Sequence, residues 1–359
     1  MTTAQPPTST DRQARRRLSW RRKAAYLAVI WFIALFLLEG TLRVVQPQFV
    51  TFVGDFLAVH EYVCWHNTDL RPNVSRRLRL STSNNLSLLD MTITTDQWGL
   101  RTNDPIAHTH THTIPSVDAT GSRSTKTIHC IGDSYTMGWG VECEHAYPAQ
   151  LARLLGSDYS VLNLGVDGFG LLASVTKGEL LERESSPDVV IYAFCENDFE
   201  DDDLTLEIRS RGRVHHSLCL AANSLLSHCY VARTPIAAVF SAAFRNTPQA
   251  PDSYCLPDGT TVDQLLDNAK QLPPAENATT RALAALQADC REHHRDLIVV
   301  LLSANSSVPL AMYQACRQLN IDPVVFPVYR RRMLPRDSHL GPVGNADLAA
   351  VLAQRIQGD

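Results

Sequence analysis

The chain has 359 residues, 45% hydrophobic and 19% charged, with 17 Gly and 19 Pro. This excludes a wholly disordered chain, a collagen-like repeat and a polytopic membrane protein, and it leaves room for one large domain or two modest ones. The net charge of -4 is unevenly spread: residues 1–23 carry +6 and the remainder -10, so the body is too acidic for a nucleic-acid binder.

Residues 1–23 read as a basic, disordered cytoplasmic tail. Ala24–Leu38 follows as an uncharged apolar run of 15 residues, and the pattern continues past Glu39 to Val45. Fifteen is short of the roughly 20 that a span needs. Glu39 and Arg43, however, stand i and i+4 on a helix and can pair near an interface. A cleaved signal peptide fits the charged leader but finds no small-residue cleavage site. A buried core helix leaves the basic block unexplained. A transmembrane signal anchor over 24–45 explains both features, with the N-terminus cytoplasmic and the body periplasmic or extracellular.

Residues 47–126 are polar. Short alternating stretches near Leu78–Leu80 and Met91–Ile93 suggest a small β-rich section, and 105–126 has a loop composition. His108, His110 and His112 in that loop admit a metal-binding reading, but solvated histidines are the simpler one. None of the nine cysteines has zinc-ligand spacing. Cys130 and Cys195 read as buried small hydrophobes. Cys219, Cys229 and Cys255 share a segment in which a disulfide is open.

From Thr127 strands and helices alternate. Strands are expected at Thr127–Ile131, Val161–Leu164, Val189–Phe194, Leu297–Leu302 and Val324–Phe326. Helices are expected at Ala146–Leu155, Leu171–Arg183, Ala278–His293, Val308–Leu319 and Val343–Ile356. This alternation implies an α/β, doubly wound parallel sheet with its site at the carboxyl ends of the strands. Residues 200–276 interrupt the rhythm. Ser217–Phe244, rich in Ala, Leu and Val without an acid, reads as a helical insertion packed on the sheet.

Four strand ends carry the candidate chemistry. Gly132-Asp133-Ser134 offers a hydroxyl in a glycine-rich turn. Asn163 to Gly170 offers backbone N–H groups, Cys195-Glu196-Asn197-Asp198 a carboxamide, and Asp337-Ser338-His339 a base with an orienting acid. Asp133 reads first as a helix cap. Glu196 and Asp198 read as shaping the mouth. Trp139 and Phe169 either line a pocket or pack.

The strings IGDSYTMGWGVE, YPAQL, NLGVDGFG, PDVVIYAF and END resemble, in order and spacing, the SGNH hydrolase superfamily of GDSL-like esterases, from about Thr127 to the C-terminus. With the apolar N-terminal helix and ITTDQWGLR (Ile93 to Arg101), the chain is similar to membrane-anchored bacterial members. The resemblance implies a flavodoxin-like sheet of about five parallel strands over 127–359 and a Ser-His-Asp mechanism without cofactor or metal. Ser134 would be the nucleophile, His339 the general base and Asp337 its orienter. The N–H of Ser134, the N–H of Gly168 and the amide of Asn197 would form the oxyanion hole. The last pair is spaced Asp-x-His where many members have Asp-x-x-His, so a backbone carbonyl is the alternative orienter.

The expected function is that of a membrane-anchored serine esterase cleaving small acyl esters, with acetylated glycans as candidate substrates. An O-acyltransferase acting on a cell-envelope or secreted polysaccharide and a non-catalytic glycan-binding module are the alternatives. The expected partners are an acyl-ester substrate and the membrane, not nucleic acid. Acyl length, alcohol partner, disulfide pairing and oligomeric state are written in no motif.

Overall fold

The structure, a computed structural model, describes residues 19–63, 66–81, 87–103, 125–182, 185–246, 276–303, 309–335 and 337–358. The tail at 1–18, the three loop histidines, Cys64 and Cys255 lie outside these residues. The chain divides into two compact units, Met1–Gln46 and Pro47–Asp359.

The first unit contains helix α1, Trp20–Val45, of 26 residues. At 1.5 Å per residue it is about 39 Å long, long and apolar enough to cross a membrane. None of its residues is buried, unlike a core helix. Glu39 and Arg43 form the expected i, i+4 pair at 2.7 Å.

The second unit opens with helix α2, Gln48–Val59, an element the polar reading of this section does not include. Two antiparallel hairpins follow. Strand β1 (His60–Val63) pairs with β2 (His66–Leu70), and β3 (Ser75–Ser81) with β4 (Ser87–Thr94). Leu78, Leu80, Met91 and Ile93 alternate inward, and they join Phe52 and Val59 of α2 in one core cluster.

The main sheet has five parallel strands: β5 (Lys126–Gly132), β6 (Tyr159–Asn163), β7 (Val189–Phe194), β8 (Asp296–Ser303) and β9 (Val324–Pro327). Their order is β6-β5-β7-β8-β9. Strand β7 is buried at all six positions, so an unbroken apolar run suits it. The helices are α3 (Ser134–Met137), α4 (Tyr147–Leu155), α5 (Leu171–Glu182), α6 (Asp198–Ser210), α7 (Arg213–His228), α8 (Tyr230–Asn246), α9 (Ala278–Glu292), α10 (Leu310–Gln318) and α11 (Pro342–Gln357). Leu151, Leu348 and Leu352 from α4 and α11 cover one face of the sheet, with Ile128 and Ile191. Leu171, Leu283 and Met312 from α5, α9 and α10 cover the other, with Ile131 and Tyr192. This is the doubly wound architecture expected from the alternating strands and helices, and its switch point lies where β5 borders both β6 and β7.

The insertion differs from expectation. Helices α7 and α8 pack on α2, β1 and each other rather than on the sheet. The reason lies in α2: Val50 and Val53 are buried there, and Ala237 of α8 closes over them.

Candidate active site

Strand β5 ends in Gly132, and the chain turns sharply into α3. Asp133 is the N-cap, its Oδ1 accepting from the Tyr135 N–H at 2.9 Å. The cap presents Ser134 at the carboxyl edge of the sheet, where its Oγ lies 2.7 Å from His339 Nε2. His339 Nδ1 lies 2.5 Å from Asp337 Oδ1, and the same oxygen accepts the His339 backbone N–H at 3.0 Å. The short Asp-x-His spacing thus reaches the imidazole directly, and no backbone carbonyl substitutes for the carboxylate. With Nδ1–H donated to Asp337, Nε2 is left to accept the Ser134 hydroxyl proton.

The segment carrying this pair is fixed on several sides. Tyr135 donates its hydroxyl to the Ser338 carbonyl at 2.7 Å, and its ring centroid stands 5.0 Å from that of His339. The Trp139 ring stands beside it, its centroid 6.2 Å from that of His339. Leu334 N–H donates to the His339 carbonyl at 2.9 Å.

Electrostatics separate the two partners. Burial disfavours the charged His339 ring, but the hydrogen bond and charge of Asp337 outweigh it, with Asp133 and Asp167 adding, so its pKa is raised above 6.5. Burial also works against ionised Asp337, yet His339 and Trp139 hold its pKa below the ordinary carboxylate value. Asp133, in contrast, is pushed up to about 6 by burial.

Gly168 follows β6 in a turn closed by Phe169 N–H to Val166 O at 3.2 Å. Its φ of +74° is left-handed, and it is exposed. Neither the Gly168 nor the Ser134 N–H has an acceptor among the described residues. Asn197 sits after β7 and is engaged: Nδ2 donates to Asp201 Oδ2 at 2.8 Å and faces Asp133 Oδ2 at 3.5 Å. The structure therefore brings Ser134, His339 and Asp337 into one relay. Two of the expected oxyanion donors have unengaged N–H groups, while the third is turned toward carboxylates. Such a set can transfer a serine proton and bind a developing oxyanion.

Asp198 does not shape the mouth. It is fully buried, accepting from Tyr192 Oη at 2.6 Å and Cys195 N at 3.2 Å, and burial raises its pKa. Trp139 and Phe169 are buried in the cluster shared with the N-terminal section, which favours the packing reading.

Three residues of that N-terminal section hold the site and were not singled out from sequence. His60 is buried, with Nε2 2.6 Å from Asp167, the residue before Gly168. His66 hydrogen-bonds Thr205 at 2.8 Å and packs edge-on against Phe169, the residue after Gly168, with ring centroids 4.7 Å apart. Arg101 is buried and donates to the carbonyls of Met137, Gly138, Val141 and Thr92, clamping the turn that carries Trp139. The string ITTDQWGLR was the one local signal, since it ends in this arginine.

The model of the GDSL-like Lipase/Acylhydrolase family matches residues 130–325. No curated protein matches the chain. Among solved structures it is similar to the native M. smegmatis aryl esterase (16% identity, TM-score 0.32, 65% of this chain and 99% of that one). It is also similar to a carbohydrate acetylesterase family member from Sinorhizobium meliloti (15%, TM-score 0.31, 65% and 98%). A third is the lipase/acylhydrolase from Enterococcus faecalis (14%, TM-score 0.32, 65% and 96%). The matched span begins in β5, runs through the serine turn and both loops at the switch point, and ends in β9; by that span the chain belongs to the GDSL-like lipase/acylhydrolase family and is a serine hydrolase acting on ester bonds.

Proposed function

We propose that this protein is a membrane-anchored esterase that removes small acyl groups, O-acetyl groups on glycans among them, by a Ser-His-Asp mechanism. The observation that carries the mechanism is the unbroken relay from Ser134 Oγ through the His339 ring to Asp337. Ser134 attacks the ester carbonyl while His339 takes its proton. Asp337 keeps the ring in the right tautomer and stabilises the imidazolium. The N–H groups of Ser134 and Gly168 receive the oxyanion, and Asn197 joins them once its amide leaves Asp201 and Asp133. His339 then returns the proton to the departing alcohol, and water repeats the cycle on the acyl-enzyme.

Two features support the finer points. Trp139 and Phe169 are packed into the core instead of lining a slot for a long chain, which suits a small acyl group. Helix α1 behind a basic tail suits an anchor with the tail in the cytoplasm and the hydrolase unit outside.

The test is p-nitrophenyl acetate hydrolysis by the full chain, beside Ser134→Ala and His339→Ala. Turnover by the wild type that both substitutions abolish supports the proposal. Turnover that survives Ser134→Ala rejects it.

A further inference from the structure

Helix α7 turns its apolar side outward. A helix folded onto a core buries its apolar stripe and shows water its polar face. In α7, Val214, Leu218, Ala221 and Leu225 recur at i, i+4, i+7 and i+11, one stripe along the helix. All four are exposed, the three larger ones at 76, 65 and 59%. The inward side is polar. His216 hydrogen-bonds Tyr62 at 2.6 Å, and Cys219 bonds His215 at 3.3 Å. The helix is held by its polar side and leaves its apolar side without cover among the described residues.

Charge narrows the partner. Helix α7 carries one arginine, Arg213, and neither Asp nor Glu, within a body that is otherwise net acidic. Arg213 is exposed in the first turn of α7. An outward apolar stripe with an exposed arginine in its first turn and no acid on its helix has the chemistry of an interfacial helix on anionic lipid. Chain connectivity agrees, because α7 and α8 pack on α2, and only Gln46 and Pro47 separate α2 from the end of α1.

We infer that the exposed stripe of α7 lies on the surface of an anionic bilayer, with its leucines at the acyl-chain boundary and Arg213 among the headgroups. This rests on the membrane-anchored reading above and extends it. On this inference the substrate is met close to the bilayer.

The test places the full chain in nanodiscs of phosphatidylcholine and phosphatidylglycerol, with or without bromine on the acyl chains. Bromine quenches tryptophans that touch lipid. Trp20 and Trp31 of α1 report the anchor in the unsubstituted protein. Leu218→Trp reports the stripe, and Leu154→Trp on α4 is the exposed control. We expect the emission added by Leu218→Trp to be largely lost in brominated discs, and that added by Leu154→Trp to be retained. Arg213→Glu should weaken the quenching at position 218 and leave p-nitrophenyl acetate turnover unchanged. Quenched α1 tryptophans beside unquenched emission from position 218 reject the surface and leave the anchor standing. Blue-shifted but unquenched emission there means that protein, such as a second copy, covers the stripe, and it also rejects the inference. Loss of quenching at both α1 and position 218 rejects anchor and surface together.

Discussion

His60 Nε2 stands 2.6 Å from Asp167 Oδ1, while His60 Nδ1 stands 2.8 Å from the Phe56 carbonyl. Both neighbours only accept, so both ring nitrogens must carry protons. The imidazolium is buried, yet Asp167 outweighs the burial, raising the pKa of His60 and lowering its own. Through this pair the start of β1 holds the residue next to Gly168. His60→Ala should therefore destabilise the protein by about 3 kcal/mol, since it strands a mostly buried carboxylate. It should also lower kcat by roughly 10²-fold, with a smaller change in KM, because a misplaced oxyanion donor costs transition-state binding. Thermal melts and steady-state kinetics of His60→Ala, Asp167→Asn and the double variant check this. The double variant should be little worse than either single one.

The same pair gives stability a pH window. The folded pKa of His60 is raised, so its contribution is full below the unfolded value and is lost as pH rises through the folded one. The folded pKa of Asp167 is lowered, so its contribution is present above the unfolded value of 3.8 and is lost as pH falls through the folded one. The stability that His60→Ala removes should thus be largest at mildly acid to neutral pH and shrink at both extremes. Denaturant midpoints across pH measure it.

His339 works as a base only when neutral. Because its pKa is raised above 6.5, kcat/KM should climb with pH along a limb whose midpoint lies above that value. Asp337→Asn removes the main group holding the proton. The limb should move to lower pH, and the rate should fall by on the order of 10⁴. A pH–rate profile of both proteins provides the measurement.

Gly168 separates backbone from side-chain effects. A Cβ there would meet nothing within 4 Å, but φ is +74°. The cost of Gly168→Ala is then conformational, about 1–2 kcal/mol, and falls on the loop that presents the N–H. Activity should drop more than melting temperature does. Gly168→Asn, which tolerates the left-handed region better, should recover part of it.

Arg101→Met leaves four carbonyl acceptors without their guanidinium. At about 1 kcal/mol or more for each buried group left unpaired, the loss should exceed that of any exposed arginine, such as Arg213→Met. Chemical denaturation of the two variants makes the comparison.

Much of this architecture is legible in local sequence. The boundaries of β7 are read to the residue from a continuous β-branched and aromatic run, because burial on both faces removes alternation. The serine turn, the glycine loop and the Asp337–His339 pair are short, contiguous signals at strand ends. What escapes the sequence is long-range. His60 and Asp167 lie 107 positions apart, and Arg101 reaches 40 residues to Val141. Helix α2 hides in a section read as polar, although Phe49, Val50, Phe52, Val53 and Phe56 follow helical spacing. Helices α7 and α8 look like sheet cover by composition, but the open face they meet is that of α2, which sequence periodicity alone does not locate.

The central claim is that Ser134, activated by His339, forms the acyl-enzyme. The most direct measurement is intact-mass and peptide analysis of the full chain after reaction with a fluorophosphonate. One adduct, mapped to Ser134, absent in Ser134→Ala and strongly slowed in His339→Ala, is the predicted result. A folded wild-type protein that forms no adduct, or that carries it on another residue, would contradict the account.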